Sequence, residues 1–197
     1  MTEPIFSPDN PCSRSSVSAY CDRVKAMVCE RRFKHIMRVA TLADTIARAN
    51  AFKRGEIRAT ALAAVLHDVA RDLSPEQMFD ISPPQTELER LHPMSIHGRA
   101  GRVIAENWGV TDERILGAIE GHVFGVPVSN RAGMAVYVAD VSEPARGVNE
   151  DIRELAMTNL FRAYQRAVDS KVNYLRAKGK AVHPTTLKVY KELCELT

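Results

Sequence analysis

The 197-residue chain has no stretch approaching the roughly 18 consecutive apolar residues that a membrane span needs. No run of about five or six like charges occurs, and 27 basic residues against 24 acidic leave a net charge of +3, so a nucleic-acid-binding tail is absent. Cysteine is scarce. Cys12, Cys21, Cys29 and Cys194 match no zinc spacing, and reduced cytosolic thiols are the simplest reading. Residues 1–16 hold three prolines and four serines without a basic segment leading into an apolar one. They read as a flexible extension, not a secretory signal. No internal repeat and no competing strand pattern is visible.

What remains is an ordinary globular composition, 45% hydrophobic and 26% charged. The length suits one domain with a core that needs no staples. The pattern predicts helices throughout, in one all-α domain over residues 17–197. His35, Val39, Leu42 and Ile46 form the clearest apolar stripe, within 34–49. Further helices are expected over 17–30, 56–72, 95–108, 111–122, 131–143 and 149–178, the last closed by Gly179. Pro83–Pro84 marks a break, 123–130 a loop, and Pro184 opens a final helix.

Two acids stand where acids are expensive. Asp68 ends the run Ala61-Leu62-Ala63-Ala64-Val65-Leu66-His67, and Asp140 lies in Met134-Ala135-Val136-Tyr137-Val138-Ala139. A buried carboxylate has to be neutralised, paired or bound to a cation. Histidines supply the complement: His35 on its apolar stripe, His67 beside Asp68, and His97 and His122 on two further helices. Adjacent helical residues point about 100° apart, so His67 and Asp68 reach one centre only at a helix edge. Any one of these residues is as well explained by core packing. The ordered set is not, and it predicts a metal site. Imidazole and carboxylate donors suit iron, manganese or zinc, and suit magnesium or calcium less.

With these residues the chain resembles the HD-domain metal-dependent phosphohydrolases, whose His, His-Asp, Asp pattern is matched by His35, His67, Asp68 and Asp140. It is similar in particular to the bacterial YqeK family over about residues 20–195. The matching segments are Arg32-Phe33-Lys34-His35, Leu66 to Asp72, Ile96-His97-Gly98, Ala118-Ile119 with His122, Val138-Ala139-Asp140 with Glu143-Pro144 and Arg146, and Lys178-Gly179 with His183-Pro184. The resemblance implies a single HD-domain helical bundle that hydrolyses dinucleoside tetraphosphates symmetrically to two nucleoside diphosphates. It implies an iron centre held by His35, His67, Asp68 and Asp140, with His97 and His122 on phosphate or on a second metal. Asp68 would also orient water, and Arg71 would act with it as a catalytic phosphate clamp. Arg32, Arg146, Lys180 and His183 complete the expected substrate contacts. The expected protein is cytoplasmic, takes a small nucleotide rather than nucleic acid or membrane, and is compatible with a homodimer.

Two positions depart from the family pattern. Arg71 stands where the family has Lys, which keeps the cation but changes its geometry. Val123-Phe124 stands where the family has two threonines, which removes two hydroxyls beside the expected phosphate contact. The rival readings are another HD nucleotide phosphohydrolase and a catalytically weak nucleotide-binding protein.

Overall fold

Glu30–Ala49, which carries the strongest stripe, buries His35, Ile36, Val39, Ala40, Leu42, Ala43 and Ile46 along one face. The structure, a computed structural model, describes residues 15–196. Among them are eleven α-helices and no strand. They are α1 (Ser15–Met27), α2 (Glu30–Ala49), α3 (Arg54–Leu66), α4 (Pro75–Ile81), α5 (Glu87–Leu91), α6 (His97–Asn107), α7 (Glu113–Gly121), α8 (Arg131–Ser142), α9 (Glu150–Ala156), α10 (Leu160–Ala177) and α11 (Pro184–Glu195). No described helix is long and apolar enough to cross a membrane.

The bundle is organised around α8. Residues 132 to 139 are all buried, as befits a helix that is apolar on every side. Helices α2, α3, α7, α9 and α10 pack around it. Tyr137, fully buried, meets Tyr164 of α10 edge-on at 5.2 Å between ring centroids. Tyr164 Oη in turn accepts from the Val126 amide and donates to the Val126 carbonyl, which holds the loop between α7 and α8 against the core. Gly125 in that loop has φ +112°, and a side chain there would meet Tyr164 and Val189; only glycine suits both demands.

Several boundaries differ from the sequence expectation. Helix α3 ends at Leu66, and residues 67–72 run on in tight turns with Val69 N–H donating to Leu66 and Arg71 N–H to Asp68. No glycine or proline announces this end. The segment 149–178 is two helices, because Asn159 caps α10 by accepting from the Arg162 amide. Helices α4 and α5 were not expected; each is short and starts on a capping box, Ser74 with Gln77 and Thr86 with Glu89. Of the expected N-terminal extension, Ser15 and Ser16 belong to α1, and residues 1–14 lie outside the described residues. Cys29 and Cys194 are free thiols, but Cys21 is disulfide-bonded, against the expectation of reduced thiols. The spacing carried no signal for it.

The layer α4–α5 is tied to α6 by one buried carboxylate. Glu89 is fully buried and accepts from both Nη atoms of Arg99 at 2.9 and 3.0 Å and from the Gln85 and Thr86 amides. Burial alone would raise its pKa, yet Arg99 and the Gln85 amide outweigh burial and hold it at about 2. A depressed folded pKa stabilises the fold above the unfolded value and is lost as pH falls through the folded one. Glu89→Gln should therefore cost about 3 kcal/mol at pH 7, and the gap to wild type should close between about pH 4.5 and 2. Urea unfolding at pH 7 and pH 3 checks it; an equal gap at both would refute the ionic account.

Candidate metal and phosphate site

Five elements converge at one end of the bundle. His35 comes from α2, His67 and Asp68 from the chain leaving α3, His97 from the first position of α6, His122 from the residue after α7, and Asp140 from the last turn of α8. Because α3 has already ended, His67 and Asp68 do not need the helix edge that the sequence required of them. The tight turns turn both side chains inward.

Each imidazole is fixed in the same tautomer. His67 Nδ1 lies 2.7 Å from the Ala64 carbonyl, His97 Nδ1 2.6 Å from that of Met94, and His122 Nδ1 2.7 Å from that of Ile119. A carbonyl only accepts, so Nδ1 carries the hydrogen in all three. His35 Nδ1 lies 3.1 Å from the buried carboxylate of Glu143. Arg38 donates to the same carboxylate at 2.8 and 3.2 Å. Burial would raise the Glu143 pKa, but Arg38 and His35 hold it down at about 2, so it stays an acceptor. All four Nε2 lone pairs thereby face one region, the usual role of such outer partners at metal sites.

The acids meet these lone pairs. His35 Nε2 is 3.0 Å from Asp140 Oδ1 and 3.7 Å from Asp68 Oδ2. The other Asp68 oxygen, Oδ1, is 3.1 Å from His97 Nε2 and 3.6 Å from His122 Nε2. Asp68 is buried, whereas Asp140 retains 16% side-chain exposure. Burial would push both acids up in pKa. Against burial, both are held below the ordinary carboxylate range, Asp68 on the side of His67, His122 and His97, and Asp140 on the side of His35, His67 and Arg146. The imidazole share of that effect needs positive charge in the cluster, which rings neutral at Nε2 do not themselves carry. Burial lowers His67 to about 4 and lowers His97 as well.

Two features fit a cation. His67 Nε2 is buried without a hydrogen-bond partner and faces Asp68 and Asp140 at 3.7 and 3.9 Å. A lone pair aimed at two carboxylates repels them unless a positive charge lies between. His97 Nε2 and His122 Nε2 are 2.9 Å apart, again lone pair against lone pair. Two such nitrogens could both donate to one cation, which would relieve the repulsion. Two triads have donor atoms within 4.8 Å of one another: His35, His67 and Asp140, and His67, Asp68 and His122. Asp68 belongs to the second triad, and its Oδ2 also lies 3.7 Å from the Nε2 atoms of both His35 and His67 in the first. Among the described residues no cysteine belongs to either triad, which suits a nitrogen–oxygen site for iron, manganese or zinc.

A cavity of about 290 Å³ opens onto these residues, with Arg32, Arg71, Arg146 and Lys171 on its wall. Arg32 donates to Asp68 at 2.7 Å, and Arg146 donates to Asp140. Arg71 makes no side-chain hydrogen bond or ion pair among the described residues and faces the cavity. Lys180 and His183 are not brought there. Lys180 is exposed just past Gly179 and is not among the residues lining the cavity. His183 is buried: its Nδ1 accepts from the Thr185 amide to cap α11, its Nε2 lies 3.3 Å from Glu89, and its ring stacks on Phe124 at 3.7 Å. Its Nδ1 is engaged by the Thr185 amide and its Nε2 lies beside Glu89 without a hydrogen bond, and the stacked ring stands behind the loop after His122.

Sequence reasoning missed Glu143 and Arg38 as supports of His35, and missed Lys171. Lys171 follows the buried Val168 by three positions and precedes the buried Val172, so a lysine on an apolar stripe was the available signal.

An all-α bundle presenting four histidines and two aspartates to a basic cavity is the arrangement of a metal-dependent phosphohydrolase, and the chain belongs to the HD-domain family, whose model matches residues 32–145, more than half of its length. Within that class it is a member of the family of symmetrical bis(5'-nucleosyl)-tetraphosphatases. The protein of that name from Bacillus subtilis is 30% identical over 174 residues, covering 85% of this chain and 91% of the relative. The one from Halalkalibacterium halodurans is 27% identical over 177 residues, 86% and 92% of the two chains. A Mycoplasma genitalium protein named "Probable nicotinate-nucleotide adenylyltransferase/Ap4A hydrolase" is 32% identical over 72% of this chain, which spans 42% of that protein's length. Among solved structures, a Clostridium acetobutylicum protein described as a predicted HD superfamily hydrolase involved in NAD metabolism is similar with TM-score 0.83 and 25% identity, over 94% of this chain and 100% of that one.

Proposed function

We propose that this protein hydrolyses dinucleoside tetraphosphates at the central linkage, releasing two nucleoside diphosphates. The observation that carries the reading is the buried, unpartnered His67 Nε2 facing two carboxylates beneath a cavity walled by cations. That combination suits a cation below and a polyphosphate above. The assigned holders are His35, His67, Asp68 and Asp140, with Asp68 Oδ1 and the pair His97–His122 offering a second position. Iron is the metal proposed, with manganese and zinc as alternatives. When bound, the cation neutralises phosphoryl charge and makes water a better nucleophile.

The chain's own groups do the rest. Asp68 accepts from the attacking water and orients it. Arg71, whose side chain has no partner among the described residues, takes a phosphate oxygen, and its planar fork suits bidentate contact. Arg32 and Arg146 pair with the two aspartates and border the same anion. Water adds to one of the two central phosphorus atoms. The bridging oxygen leaves with the other diphosphate, and the water's second proton passes to solvent or a neighbouring base. Every group named comes from one chain, so a homodimer is compatible but not required. The reading places the enzyme in the cytoplasm with its nucleotide substrate.

The test is product analysis on diadenosine tetraphosphate with protein purified without chelator and assayed for metal. ADP as the sole nucleotide product is expected. ATP with AMP, or turnover only on nucleoside triphosphates or monophosphates, would overturn it, and so would absence of turnover, which favours a binding protein. His122→Ala separates the two roles of the histidine pair. If the pair holds a second cation, metal content falls along with nucleotide affinity; if it binds phosphate, affinity falls alone.

A further inference from the structure

Of the cations on the cavity wall, Arg32 and Arg146 are committed to Asp68 and Asp140. Lys171 is not committed to any acid. It is partly buried on α10, and its Nζ donates to the Val123 carbonyl. The Nζ also lies 5.7 Å from the centroid of the Tyr137 ring, on the cavity side shared with Asp140. It forms no ion pair with a carboxylate among the described residues. An ammonium has three donors, and the carbonyl uses one.

A lysine whose stem is packed between helices and whose head lacks a counter-ion is costly unless an anion arrives. Burial pushes the Lys171 ammonium down to about 8, with the Asp140 charge acting against that. The wall beside it is otherwise poor in donors. Val123 and Phe124 carry no hydroxyl, and the Val123 carbonyl is an acceptor already engaged. On this side Arg146 is engaged by Asp140, whereas Lys171 holds no carboxylate among the described residues.

We propose that Lys171 is a substrate-binding residue, contacting a phosphate oxygen of the polyphosphate on the cavity side bounded by Val123 and Asp140. The assignment rests on the proposed phosphohydrolase function. Its contact with the Val123 carbonyl uses one of the three ammonium donors and leaves two for the phosphate. Arg71 and Lys171 are then the two cations on the wall left for the substrate.

The experiment compares full-length, metal-loaded wild type with Lys171→Met and Lys171→Arg. Methionine keeps the length and packing of the stem and removes the charge. The expected result is a KM for diadenosine tetraphosphate raised about tenfold in the Met variant, the loss of one charge-assisted hydrogen bond, with a much smaller change in kcat. Arginine should restore most of the affinity. The salt dependence of kcat/KM should be shallower in the Met variant, which a merely structural lysine would not produce. Thermal unfolding without substrate verifies that each variant folds. A folded Met variant with unaltered KM and salt dependence would overturn the assignment, as would a loss confined to kcat, which marks a loop brace. Calorimetric binding of ADP reads the same site without turnover. Wild type that cleaves no tetraphosphate defeats the functional reading, whereas equal ADP affinity in wild type and Lys171→Met defeats the role of Lys171.

Discussion

Asp68→Asn should lower turnover by at least about a thousandfold, the scale on which loss of a group that orients or stabilises the reacting charge is felt, while leaving a folded protein. Asparagine keeps the size of the side chain and removes the charge. The position is demanding because both carboxylate oxygens are used, Oδ2 towards Arg32 and His35 and Oδ1 towards His97 and His122. An amide cannot accept on both sides; its NH2 would face either the Arg32 guanidinium or the His97–His122 lone pairs. Turning that NH2 towards the imidazoles satisfies the lone pairs and leaves the amide oxygen for Arg32, so the fold has a way to tolerate the change. The measurements are turnover, metal content and far-ultraviolet circular dichroism on one preparation. Folded Asp68→Asn protein with wild-type turnover and metal content would refute the assignment of Asp68.

The parts of this site that were legible in the sequence are those that break a local rule. Asp68 and Asp140 interrupt apolar runs, and His35 lies on an apolar stripe. These violations are visible one helix at a time, because burial is what a continuous apolar pattern reports. The supporting groups break no local rule. Glu143 lies 108 positions from His35 and Lys171 lies 48 from Val123, and only the packing of α2, α8 and α10 brings each pair together. Helices α4 and α5 were overlooked because they have five to seven residues and are held by caps and by Glu89 rather than by an apolar stripe. Lys180 and His183 were misplaced for the same reason. Sequence position put them near the site, but His183 lies against Glu89, which sits on α5, a helix that the pattern did not reveal. The end of α3 before His67 was also hidden, since tight turns without glycine or proline read as more helix.

Gly98→Ala should both destabilise the protein and slow it, although alanine is the better helix former. Gly98 follows His97 in α6, and a Cβ there would lie 2.6 Å from the Glu120 carbonyl oxygen and 3.0 Å from that of Ile119. Both belong to the backbone of α7, so no side chain can swing aside. The cost of such overpacking is about 1–3 kcal/mol, a fall in Tm of several degrees for a domain of this size. The site feels it directly, because the Ile119 carbonyl is also the acceptor that fixes His122 Nδ1 at 2.7 Å. A methyl that pushes α6 from α7 moves His97 and His122 away from their 2.9 Å approach. Turnover should drop at least about tenfold, since displacements well under 1 Å matter at a reacting centre. Gly55→Ala in α3 is the contrast: nothing lies within 4 Å of its Cβ, and the substitution should leave activity intact and raise stability by roughly 0.4–1 kcal/mol. Thermal unfolding and turnover of the two variants side by side decide the matter. A Gly98→Ala protein as stable and as active as wild type would mean that α6 and α7 part without cost, and that their close approach is not what spaces the two imidazoles.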